Sequence, residues 1–122
     1  ALLLALRLDA RAGVPRVQYS GLPTDPNHAR ARALLEGFAA VASVELPTAE
    51  QADRFVSALR VFTPATSLGC VESLVERLRR HPAEPREVPE GLVRLSLGIE
   101  HVEDLWADLE QALDRSILAT AG

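Results

Sequence analysis

One arginine stands inside an otherwise apolar run, Gly91-Leu-Val-Arg-Leu-Ser-Leu-Gly-Ile-Glu100, which leads straight into His101-Val-Glu-Asp-Leu-Trp-Ala-Asp-Leu-Glu-Gln-Ala-Leu113. The first half has the composition of a buried strand. The second places Val102, Leu105, Trp106, Leu109 and Leu113 at helical spacing. A strand running directly into an amphipathic helix restricts the chain to layered α/β architectures, because both elements bury their apolar sides in one core. The guanidinium of Arg94, set among Leu92, Val93, Leu95 and Leu97, is costly to bury unless an anion meets it. Strand periodicity puts Arg94 on the side of Leu92 and Ser96, opposite Val93, Leu95 and Leu97. Two readings follow. Arg94 is a fork offered to a carboxylate or phosphate, worth ~1.5–3 kcal/mol as a charge-assisted bond, or it faces solvent and pairs with a local glutamate. Periodicity by itself favours the second.

At 122 residues the chain has the length of one domain. Its net charge of -4 argues against a general nucleic-acid binder, which needs a basic surface to displace counterions. All 13 basic residues are arginine, so no lysine of this chain can form a Schiff base. Methionine is also absent, and the chain reads as an excised domain of a larger protein. The single cysteine, Cys70, excludes an internal disulfide and a multi-thiolate metal site. The apolar opening, Ala1 to Leu6, is soon followed by Arg7, Asp9 and Arg11 and is too short to span a bilayer. The cytoplasm is the expected compartment.

Along the chain, a helix is expected over 2–11, ended by Gly13 and Pro15, then a short strand over 16–20. A second helix, capped by Thr24 or Asp25 with Pro26 in its first turn, aligns Ala31, Leu34, Leu35 and Phe38 and stops near Gly37. Val41–Leu46 reads as a strand. Thr48 and Gln51 form a capping box before a helix carrying Ala52, Phe55, Val56 and Leu59. Arg60–Thr63 reads as a strand ending at Pro64. The stretch 70–80 suits a helix through Val71, Leu74, Val75 and Leu78, with a Glu76–Arg80 pair in support. Pro82, Pro85 and Pro89 mark a loop, and the last strand covers 92–98. The fold class is therefore α/β in the α+β sense. It is a two-layer sandwich of a small, mixed or partly antiparallel sheet with helices on one face.

Other chemistry is weakly signalled. Ser67-Leu-Gly-Cys70 occupies a turn, but no Gly-x-Ser-x-Gly elbow surrounds Ser67, and none of His28, His81 and His101 is placed as its base. Cys70 reads as inert packing rather than a thiol nucleophile. The histidines have no ligand partner at i,i+4, and no glycine-rich phosphate loop is present. Glu100, Glu103, Asp104 and Asp108 cluster at the start of the last helix, where they complement its dipole rather than bind calcium.

Taken in order, several pieces resemble the C-terminal domain of the Cys/Met-metabolism family of pyridoxal-phosphate enzymes, which includes cystathionine γ-synthases, cystathionine lyases and methionine γ-lyases. They are Val17-Gln-Tyr-Ser-Gly-Leu-Pro23 with His28, Phe62-Thr63, Ser67-Leu-Gly-Cys-Val-Glu-Ser-Leu74 with His81-Pro82, and the long run from Gly91 to Leu113. The resemblance implies that Arg94 grips the α-carboxylate of an amino-acid substrate, that Ser67 assists it and that Thr66 tunes substrate choice. It also implies a pyridoxal phosphate cofactor, with the catalytic lysine and most of the cofactor pocket in an N-terminal domain absent here, and a homo-oligomeric full enzyme. By resemblance, residues 70–75 are extended rather than helical. The chain departs from the family pattern at Ser20, where the family has proline, and at Cys70, where it has a second glycine. It departs again between Glu76 and His81-Pro82, where the family reads Glu-His-Pro followed by a Met-Thr-His loop. The alternative to an enzyme part is a non-catalytic interaction or docking domain that retains this fold.

Overall fold

In the computed structural model, which describes residues 1–38, 40–65, 71–77 and 89–121, one mixed sheet is covered by helices. The elements in chain order are α1 (Leu2–Asp9), β1 (Arg16–Gln18), α2 (His28–Leu34), β2 (Val41–Glu45), α3 (Ala49–Ala58), β3 (Thr63–Pro64), β4 (Leu74–Arg77), β5 (Leu92–Ser96) and α4 (Val102–Ala121). The strand order is β1-β2-β5-β4-β3. Among the described residues, three of the four pairings are antiparallel and β3–β4 is parallel.

The strand carrying Arg94 is the central one. Val93, Leu95 and the following Leu97 face the helices, where they join Val44, Leu46, Phe55, Leu105, Leu109 and Leu113 in the main core. Burying each of the larger of these side chains contributes ~1.5–3 kcal/mol, so the α3–α4 layer on this face dominates the fold's stability. Thr48 adopts an extended backbone, and its hydroxyl accepts from the Gln51 amide at 3.1 Å, which is the Thr48 half of the expected capping box and fixes the start of α3. In α4, Trp106 and Val102 are half-buried rather than fully buried, and the Arg7 guanidinium lies 5.7 Å from the Trp106 ring centroid.

Three expectations need correction. The stretch 74–77 is a strand, as the resemblance implies and against its helical spacing. Leu74 and Val75 point to opposite faces of the sheet and both are buried, Val75 in the main core. Residues 60–62 are a turn, and β3 is confined to Thr63–Pro64; as an edge strand it tolerates the proline. The second helix runs only from His28 to Leu34, its Asn27 cap makes no side-chain bond, and it buries nothing; Leu34 is 75% exposed. Phe38 instead packs on Tyr19 and stacks on His28, whose Nδ1 contacts the Ser20 carbonyl oxygen at 2.8 Å. Among the described residues, no helix is long and apolar enough to cross a membrane.

Candidate functional site

The site is built outward from Arg94. Its cross-strand neighbours are Ser43 on β2 and Glu76 on β4. Because side chains directly opposite on adjacent strands share a face, all three lie on the side away from the α3–α4 core. Arg94 Nη2 donates to Glu76 Oε2 at 2.9 Å, and the two side chains are 18% and 13% exposed. The guanidinium is thus half-buried and ion-paired, not solvent-facing. Its glutamate lies 18 residues away in sequence and is brought near only by strand pairing. The expected pair of Glu76 with Arg80 falls on a residue that lies outside the described ones.

Thr66, Ser67, Cys70 and His81 also lie outside the described residues. The chain on either side of 66–70 is nevertheless anchored beside the central strand. Thr63 N donates to the Ser73 carbonyl at 2.9 Å and Ala65 N to that of Val75 at 3.1 Å. One strand further in, Leu74 pairs with Ser96, two residues from Arg94.

Two acidic residues hold these anchors, and neither serves the helix dipole. Asp108 is only 5% exposed, and its carboxylate accepts from the amides of Arg60 (2.8 Å), Val61 (2.8 Å) and Phe62 (3.2 Å). It therefore fastens the turn that leads into β3 to α4. Gln111 Nε2 donates to both Asp108 Oδ1 and the Ala58 carbonyl, extending the same clasp. A sequence signal for this was present: Asp108 falls three residues after Leu105 and four before Ala112, on the buried stripe of α4, where a carboxylate has to find donors. Glu100 precedes α4. Its carboxylate accepts from Ser73 N (3.0 Å) and Ser73 Oγ (2.8 Å), while the buried Ser73 hydroxyl accepts from Gly98 N (2.9 Å). Glycine is required at 98 because a Cβ there would lie 2.2 Å from the Val71 carbonyl oxygen. Glu103 and Asp104 do stand in the first turn of α4, and Glu103 also takes both Nη1 and Nη2 of Arg7.

Burial raises the Glu100 carboxyl's pKa, but hydrogen bonds from the Ser73 amide, from its own amide and from the Ser73 hydroxyl outweigh it, and the net shift is downward. A lowered folded-state value stabilises the protein above the ordinary glutamate range of ~4.3 and loses that contribution as pH falls through the folded value. Melting temperature is therefore expected to drop more steeply on acidification for the native protein than for Glu100→Gln, the two converging at low pH. Parallel curves would show that Glu100 does not carry this stability.

A carboxylate is what this arrangement fits. Pyridoxal phosphate is not: with no lysine in the chain, its aldehyde has no amine here with which to condense. The fold is a layered α/β one, a mixed sheet with its main core on one face and the half-buried Arg94 on the other. A family model for Cys/Met metabolism PLP-dependent enzymes matches residues 1–114, and the chain belongs to that family. Cystathionine beta-lyase of Lactococcus lactis subsp. cremoris is 40% identical over 116 residues, covering 88% of this chain and 30% of its own length. Cystathionine gamma-synthase of Mycobacterium bovis is 44% identical over 110 residues, covering 82% of this chain and 27% of its own. The crystal structure of MetB from Corynebacterium glutamicum superposes with a TM-score of 0.86 at 39% identity, over 92% of this chain and 31% of that one. The chain thus spans about 30% of the length of such relatives.

Proposed function

We propose that these residues form the substrate-carboxylate-binding domain of a pyridoxal-phosphate-dependent lyase or transferase acting on sulfur amino acids. The reaction is C–S cleavage or replacement at the β or γ carbon. The observation that carries this reading is Arg94: a half-buried guanidinium at the centre of the sheet, on the face opposite the main core, in a chain of this family. In this reading Arg94 holds the α-carboxylate, Ser67 assists it, and Thr66 contributes to substrate choice. The lysine and cofactor pocket come from outside these 122 residues, and the full enzyme is a cytoplasmic homo-oligomer. The domain's contribution is orientation: holding the carboxylate fixes how the bonds at the substrate's Cα stand relative to the reacting groups.

The test uses the polypeptide that carries these residues, purified with pyridoxal phosphate. It is expected to turn over cystathionine or a related sulfur amino acid, by elimination or by replacement. The corresponding α-carboxamide, which has no charge to offer Arg94, is expected to show a kcat/KM ~10–100-fold lower. Cofactor binding without turnover of any sulfur amino acid would overturn the assignment, and equal kcat/KM for acid and amide would remove the carboxylate clamp.

A further inference from the structure

We infer that Glu76 is a positioning residue for Arg94 and sets how tightly the site grips a carboxylate. This rests on the reading of Arg94 given above. The two residues are paired directly across β4 and β5, so the backbone of two adjacent strands fixes the separation at which their side chains meet. Glu76 Oε2 accepts from one terminal nitrogen, Nη2, at 2.9 Å. An arginine side chain otherwise has many rotamers to lose on binding. One tied through Nη2 to a neighbouring strand has lost much of that freedom before a ligand arrives. Glu76 is 13% exposed on its side chain, so the contact is screened from solvent and holds its geometry better than a surface ion pair.

Glu76 also has an opposing effect, because its negative charge stands near an incoming carboxylate. The geometry decides between the two. Glu76 accepts from Nη2, and a planar guanidinium carries its five donors in one rigid fork. Removing this anchor therefore loosens every donor of the fork at once. The sign of the KM change on substitution reports which effect is larger, and positioning requires an increase.

The experiment uses the cofactor-loaded full-length enzyme and a set of variants, read as KM against kcat. Glu76→Ala is expected to raise KM about tenfold, the size of one charge-assisted hydrogen bond, with kcat within about twofold. Glu76→Gln keeps an accepting oxygen at the same reach and should recover most of the loss. In an Arg94→Ala background, Glu76→Ala should raise KM no further, since the group it positions is gone and only its repulsion of the incoming carboxylate is left to relieve. If Glu76→Ala does not accumulate as folded enzyme, Glu76→Asp decides. It keeps the charge, withdraws the carboxylate by one methylene and should raise KM severalfold with kcat unchanged. A KM that stays constant or falls in Glu76→Ala or Glu76→Asp overturns the inference, as does an equal rise with Arg94 present or absent. Those results leave the Arg94 reading intact provided Arg94→Ala itself raises KM, so the two failures are distinguishable.

Discussion

Arg94→Ala is expected to lower kcat/KM by on the order of 100- to 1000-fold, mostly through KM. Two losses combine. On the role proposed for Arg94, the substrate carboxylate forfeits its charge-assisted hydrogen bonds, and the Glu76 carboxylate, 13% exposed, loses its Arg94 partner close to where the substrate's carboxylate would enter. Arg94→Lys restores a positive charge without the planar fork and should recover only part of the loss. Cofactor absorbance should be unaffected in both, because nothing in this chain anchors the cofactor covalently. Steady-state kinetics with a native amino-acid substrate provide the measurement. An unchanged KM in Arg94→Ala would remove Arg94 from the site and leave it as half of a structural ion pair.

The second large effect is on stability. Asp108→Ala is expected to destabilise the protein by ~3–5 kcal/mol, seen as a lower midpoint in urea or thermal denaturation. The Asp108 carboxylate serves three consecutive backbone amides, those of Arg60, Val61 and Phe62, and the Phe62 contact is fully buried. Leaving buried donors unpaired costs ~1–3 kcal/mol each. Asp108→Asn replaces one accepting oxygen with a donor, so it should fall between the native protein and the alanine variant. A loss below ~1 kcal/mol for Asp108→Ala would mean that water takes over the three amides and that the turn at 60–62 does not depend on α4. The same turn leads into β3, so a large loss would couple the stability of the α3–α4 layer to that edge strand.

The burial pattern of β5 and α4 was legible before any coordinates. An alternating strand and a 3.6-residue repeat each specify one apolar side, and Val93, Leu95, Leu105, Leu109 and Leu113 all meet in the main core. The Thr48 cap was equally local, requiring only a hydroxyl three residues from an amide. Residues 74–77 were not legible from spacing, because Leu74 and Val75 continue a helical stripe from Val71 as readily as they form a strand buried on both faces. Pairing with β3 and β5 decides the matter. The expected apolar face of the second helix failed for the converse reason: its leucines had the right spacing and nothing to pack against.

By itself, the sequence determined the layered α/β class, the lack of a lysine in these 122 residues to form a Schiff base, and an arginine in an apolar strand that must meet an anion. Which anion meets it in this domain was a matter for the tertiary structure alone. Glu76 and Arg94 belong to separate strands, and only the antiparallel register of β4 on β5 brings them to 2.9 Å. The same holds for Asp108 and the turn at 60–62, and for Glu100 and Ser73. Local propensity acts over a few residues, whereas these contacts join groups 18 to 48 positions apart, and chain folding must close those distances before any charge or hydrogen bond can act.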